Sequence, residues 1–152
     1  MGGWQLSTFS TFQSGFPLGF GVQGGTYPAG VSIRPNVTGD PTVGADGSHS
    51  SRLARYFNTD AFARPADFTL GNIGPRIGTV RSPGMNNVNL TLSKDFRIVE
   101  KVKMQFRASQ FNLFNHPVFG GPNTTVGSAS FGRITAQANI SRQTEFALRI
   151  IF

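Results

Sequence analysis

At 152 residues the chain has the length of a single domain, and the absence of cysteine excludes a disulfide framework, a thiolate zinc site and a thiol nucleophile. Charged residues make up only 14% of it, well under the roughly 25% of an ordinary globular chain. The 14 Lys+Arg outnumber the 7 Asp+Glu to give +7, but the cations are scattered, and no dense basic run of the nucleic-acid-binding or nuclear-targeting kind is present.

The opening "MGGWQLSTFSTF" has neither a basic n-region nor an apolar h-region, so no signal peptide is expected. No stretch approaches the roughly 20 apolar residues of a transmembrane helix. Taken literally, the chain is either cytoplasmic or the tail of something longer. Within the same stretch Trp4, Leu6, Thr8, Ser10 and Phe12 share a parity, which predicts a strand over about 3–13 with a half-apolar face. From 14 to 85 the text turns to Gly, Pro, Asn, Asp and Ser, and a long loop is expected. Such a loop is foreign to a compact soluble domain and ordinary on the outer side of a bacterial barrel.

The second predicted strand, about 86–97, carries the cleanest alternation. Val88, Leu90, Leu92, Lys94 and Phe96 lie on one side, with Asn87, Asn89, Thr91, Ser93 and Asp95 on the other. A tight connection over Arg97 to Lys101 leads into a third strand, about 101–114. There Val102, Met104, Phe106 and Ala108 oppose Lys103, Gln105, Arg107 and Ser109. Past Ser109 the parity reverses, with Phe111 and Leu113 now apolar. A bulge at Ala108 to Gln110 would do this, as would a strand leaving a hydrocarbon layer. A second loop, 115–141, precedes the last strand, about 142–152, in which Thr144, Phe146, Leu148, Ile150 and Phe152 oppose Gln143, Glu145, Ala147, Arg149 and Ile151. Apolar faces of this kind either cover the core of a soluble sandwich or face lipid in an outer-membrane barrel. Each strand has about the ~9–11 residues of a transmembrane β-strand. The sequence of long loop, short turn and long loop puts the single short turn and the C-terminus on one rim.

The segments "GGWQLSTFSTFQSGFPLGF", "RYFNTDAFARPADFTLGNIGPR", "SPGMNNVNLTLSKDFRI" and "MQFRASQFNLFNHPVFGGPN", closed by "FGRI" and "RQTEFALRIIF", resemble the C-terminal part of TonB-dependent outer-membrane receptors. The pattern is most similar to the Oar-like acidobacterial type with an N-terminal carboxypeptidase-regulatory-like domain. The resemblance implies an all-β fold: an antiparallel transmembrane β-barrel fragment of about four C-terminal strands with long extracellular loops. It implies outer-membrane location and ligand uptake powered through TonB by regions this chain does not carry, namely the plug and the rest of the barrel. Implied partners are outer-membrane lipid, lipopolysaccharide, the remaining barrel strands and plug, and the barrel-assembly machinery, for which Phe146, Leu148, Ile150 and Phe152 match a C-terminal assembly signal. Leu90, Leu92 and Phe106 would then face lipid. No cofactor, nucleic-acid partner or enzymatic activity is implied.

Several smaller features carry less. "GFGVQG" fits G-x-G-x-x-G through Gly19, Gly21 and Gly24, but Pro17 precedes it and no helix pattern follows, so no dinucleotide site is expected. His49 and His116 have no partners at metal-ligand spacing, and no G-x-S-x-G elbow surrounds any serine. Six arginines fall in the first loop: Arg34, Arg52, Arg55, Arg64, Arg76 and Arg81. Arg52, Arg55, Arg64 and Arg76 are candidate anion contacts, because guanidinium forks match phosphate and carboxylate. Asp40, Asp46, Asp60 and Asp67 offset four of the six charges, which favours pairing within the loop and contact with lipopolysaccharide over a dedicated ligand site. Tyr56, Phe57, Phe62 and Phe68 are expected to tuck the loop against the barrel mouth. The rival reading is a soluble β-rich module binding nucleic acid or another polyanion. It needs cations and aromatics on one face, whereas Lys103, Arg107 and Arg149 lie opposite the aromatic-bearing side.

Overall fold

The computed structural model describes residues 2–24, 32–42 and 48–152. They form two compact units, Met1–Ser14 with Gly84–Val118 and Gln137–Phe152, and Gly15–Pro83 with Phe119–Ala136. The first unit is a sheet. The second holds most of the turn-rich sequence. In chain order the strands are β1 (Trp4–Gln13), β2 (Pro17–Leu18), β3 (Gly21–Val22), β4 (Asn36–Val37), β5 (Phe62–Ala63), β6 (Ile77–Arg81), β7 (Met85–Val99), β8 (Val102–Phe111), β9 (Thr125–Val126) and β10 (Gln143–Ile151). Helix α1 (His49–Ala54) is one and a half turns long, and a 3-10 turn spans Thr59–Ala61.

The sheet has the order β1-β7-β8-β10, with every pair antiparallel. Period-two alternation is the reason these four segments are the long strands: each has one mostly apolar face and one mostly polar face. β7 and β8 are joined by a two-residue turn, Glu100–Lys101, shorter than the five-residue connection expected from the sequence. Val99 pairs with Val102 across it, and the ladder's one register shift lies here, between Arg97 and Val99.

Of the two explanations for the parity reversal, the bulge at Ala108 to Gln110 is not present. β8 pairs with β10 without a shift from Lys103↔Ile151 to Phe111↔Gln143, so Phe111 continues on the polar side. The strand stops at Phe111 rather than reaching 114, because Asn112 adopts φ 51°, a left-handed conformation that asparagine tolerates better than most residues. Its side chain fastens the exit: Nδ2 donates to the carbonyls of His116 and Ile140 at 3.1 Å each, and Oδ1 accepts from the His116 N–H at 2.9 Å. The apparent parity reversal is one apolar residue, Phe111, on the polar side, followed by the strand end before Leu113.

The second unit is ordered by its own core, not a structureless loop. Phe20, Phe57, Ala61, Phe62, Ile73 and Val80 are buried together, with Phe131 packed against them. Phe20 stacks on Phe62 at 4.4 Å, and Phe57 meets Phe20 and Phe131 edge-on at 5.1 and 5.2 Å, the offset and T-shaped arrangements aromatic quadrupoles prefer. Short ladders tie the segments: β2 with β6, β4 with β5, and β3 parallel to β9. Gly71 permits one close crossing, since a Cβ there would run into the carbonyl oxygens of Arg34 and Pro35. Next to it Asn72 accepts from the Val37 N–H at 2.7 Å and donates to the Val37 carbonyl at 3.1 Å, holding β4 in place. Of the four aromatics expected to be tucked in, Phe57 and Phe62 are core and Tyr56 packs beside it. Phe68 is not: it is 66% exposed at φ 63°, turned outward by a tight turn in which Thr69 bonds the Ala66 carbonyl through both N–H and hydroxyl.

Candidate functional site

Directly opposed residues in an antiparallel ladder share a face, so the register sorts the sheet's side chains. Leu6, Leu92, Ala108 and Phe146 form one row; Trp4, Lys94, Phe106 and Leu148 the next; Phe96, Met104 and Ile150 another. Leu90 continues the same face opposite Thr8 and Gln110. The result is an apolar face crossing all four strands, with Phe106 and Phe146 stacked at 6.0 Å. It remains accessible: Phe146 is 71% and Leu148 62% exposed. Phe152 lies just past the last paired residue, Ile151.

The opposite face is mostly polar, with Phe9, Phe111 and Ile151 among its apolar members. Ser93 and Arg107 pair there, as do Thr91 and Ser109, whose hydroxyls are 3.2 Å apart. Asp95 accepts from Gln105 Nε2 at 2.9 Å, and Arg149 stands opposite Gln105. Asn89 belongs to this face too, its Oδ1 accepting from the Asn112 N–H at 3.0 Å.

One charge lies on the apolar side. Lys94 Nζ sits 5.0 Å from the Trp4 ring and 5.7 Å from Phe96, and donates to the Gly2 carbonyl. The alternation put Lys94 on this face but could not show that two aromatics frame it, because Trp4 lies far away in sequence. Such contacts are worth about 0.5–1 kcal/mol when exposed.

The arginines of the second unit divide by partner. Arg55 forms an ion pair with Asp60 at 2.7 Å and also bonds Asn58 Oδ1. Arg64 reaches Asp67 at 4.0 Å and donates to the carbonyls of Gln23 and Gly24. Arg76 donates weakly to the Pro17 carbonyl at 3.5 Å, and Arg81 Nε to that of Gly15 at 2.8 Å. Arg52, in the last turn of α1, has no hydrogen-bond or ion-pair partner among the described residues. Asp46 lies outside them. The Asp40 carboxyl is held below its usual range by the Thr42 hydroxyl at 2.7 Å and the Thr42 N–H at 2.8 Å. Burial pushes the Tyr56 phenol up, against the pull of the Arg52 charge. The structure does not gather Arg52, Arg55, Arg64 and Arg76 through any shared contact. His49 lies 5.2 Å from Phe119 and His116 6.2 Å from Phe114, both tilted rather than stacked; among the described residues no three metal-ligating side chains cluster.

The family described as "Outer membrane beta barrel domain" has a model that matches residues 1–145. The chain belongs to this outer membrane β-barrel family. No curated protein and no solved structure matches the chain. The family match covers β1, β7 and β8 and enters β10, stopping one residue before Phe146. A barrel domain crosses its membrane with strands, consistent with the absence, among the described residues, of any helix long and apolar enough to do so. Membership makes the four-stranded antiparallel sheet a piece of outer-membrane barrel wall. Four strands do not close a barrel, and β1 and β10 each have one unpaired edge among the described residues.

Proposed function

We propose that the chain is the C-terminal wall segment of a TonB-dependent outer-membrane receptor that takes up a ligand, of the Oar-like type. The observation that carries the reading is the apolar face shared in register by β1, β7, β8 and β10, backed by a polar face with Arg107 and Arg149. That is the lipid-out, lumen-in pattern of a barrel wall. The order and spacing of the segments running from "GGWQLSTF" to "RQTEFALRIIF" supports the receptor type. On this reading Leu90, Leu92, Phe106 and Leu148 contact lipid, while Asn89, Thr91, Arg107 and Arg149 face the lumen. The loop arginines meet lipopolysaccharide, and TonB acts through regions outside this chain. The role is transport, not catalysis. Uptake by cells carrying the complete receptor should require both TonB and the proton-motive force. Uptake that persists in a TonB deletion refutes the receptor assignment while leaving the barrel.

Expressed alone, the 152-residue chain is expected to be insoluble without detergent. Unpaired backbone groups at the edges of β1 and β10 cost several kcal/mol each in lipid, and in water exposed apolar edge strands associate edge to edge. Sedimentation in plain buffer checks this. A monodisperse, cooperatively folding monomer would restore the soluble polyanion-binding reading.

Phe146, Leu148, Ile150 and Phe152 are proposed to act as the assembly signal read by the barrel-assembly machinery. Removing Phe152 from the complete receptor should lower its folded outer-membrane level and leave unfolded periplasmic material or degradation products. Heat-modifiability on gels compares the two pools. An unchanged folded fraction makes Phe152 a frayed chain end.

A further inference from the structure

The second unit holds a cleft of about 280 Å³ whose chemistry is not that of a loop packed only against itself. The cleft is lined by half-buried Pro41 and Tyr56 and by exposed Thr42, Arg52 and Arg81, with the core residues Phe57 and Val80 beneath. Elsewhere in this unit Arg55 is paired with Asp60 and Arg64 with Asp67, while Arg34, Arg76 and Arg133 have no carboxylate partner among the described residues. The two in the cleft have none there either, and they share one lining. Arg52 has no partner among the described residues, and Arg81 uses only Nε, on the Gly15 carbonyl, leaving its terminal nitrogens for another acceptor.

We propose that this cleft binds a small anion, a carboxylate or phosphate attached to an apolar body. Two guanidinium groups offer planar pairs of N–H donors that match a carboxylate or phosphate bidentately. The Tyr56 hydroxyl adds a neutral donor. Pro41 and the Tyr56 ring, both half-buried, present a surface that a bare inorganic anion cannot use and an aromatic or alkyl substituent can. A few convergent polar groups over an apolar lining is the ordinary composition of a small-molecule site. The same chemistry could be brought by a soluble solute or by a lipid headgroup phosphate.

The inference does not depend on TonB-driven uptake, and its test separates the two. The complete chain in neutral detergent micelles is titrated calorimetrically with phenyl phosphate, and with inorganic phosphate and benzyl alcohol as probes of the two halves. Phenyl phosphate should saturate one site and bind at least tenfold more tightly than either half-probe. Arg52→Gln should weaken it at least tenfold, Arg52→Lys by between twofold and tenfold, and Arg55→Gln, outside the cleft, not at all. Affinity should fall as salt rises, since the attraction is screened. Adding phosphatidylglycerol to the micelles distinguishes the sources: displacement of the probe assigns a headgroup, persistence a soluble solute, and either keeps the site. Wild-type protein that does not saturate with phenyl phosphate overturns the proposal. So does Arg52→Gln or Arg52→Lys binding it within twofold of Arg55→Gln; Arg52→Lys keeps the charge and stem should Arg52→Gln disturb α1.

Discussion

Leu148→Arg in the complete barrel is expected to destabilise it by roughly 2–4 kcal/mol if the position lies near the bilayer midplane, whereas Arg149→Leu should cost little. The two residues are adjacent in β10, so the contrast cannot come from strand propensity or distance from the chain end. It comes from facing. Leu148 lies opposite Phe106, in the row that also holds Trp4 and Lys94, whereas Arg149 lies opposite Gln105, which bonds Asp95. An arginine in the Leu148 row must hold a guanidinium in hydrocarbon or deform the bilayer to reach water. A leucine at 149 gives up one charge on a wall that keeps Arg107 and Lys103. Equilibrium unfolding in vesicles gives the difference directly, and heat-modifiable folded fractions give its sign in cells. Equal effects would mean that the two faces have been assigned the wrong way round.

The long strands were legible because period-two alternation is a local signal, and β7 and β10 carry it with few exceptions. What joins them was less so. Whether a bulge at Ala108 to Gln110 brought Phe111 onto the face of Phe106, or Phe111 stayed on the polar side as the strand left the hydrocarbon layer, looks the same in one dimension. Asn112, whose left-handed φ ends the strand, is one asparagine among many in this chain. The second unit was harder still. Its strands are mostly two residues long, too short to show a period, and its core joins Phe20 to Phe57, Phe62 and Phe131 over long separations. Aromatic content in the turn-rich segment did signal packing, but could not tell buried Phe57 from exposed Phe68. The arginines were visible as a group. That Arg55 and Arg64 have carboxylate partners while Arg52 has none among the described residues depends on how the chain turns after α1, which composition does not encode.

Phe57→Ala should destabilise the second unit by about 3–5 kcal/mol, the usual cost of removing a buried phenylalanine. Phe57 is 1% exposed and contacts three other rings, Phe20, Phe62 and Phe131, so its loss leaves a cavity lined by stiff aromatic faces that cannot readily collapse inward. Repacking is further restricted at Gly132, which adopts φ 78° and whose missing Cβ leaves room for the Phe57 ring and Thr59. Phe68→Ala is the matched control: it deletes the same side chain from an exposed turn, where changes usually stay within about 0.5 kcal/mol. A barrel with a separately packed unit need not unfold in one step, so the readout must be local. Hydrogen exchange of the amides in β5 and β6, compared with those of β7 and β8, reports opening of the second unit against that of the sheet. Phe57→Ala should accelerate exchange in β5 and β6 by two to three orders of magnitude, corresponding to about 3–4 kcal/mol, and leave β7 and β8 unchanged. Matching exchange in the Phe57→Ala and Phe68→Ala proteins would mean that the second unit does not depend on this aromatic core for its order.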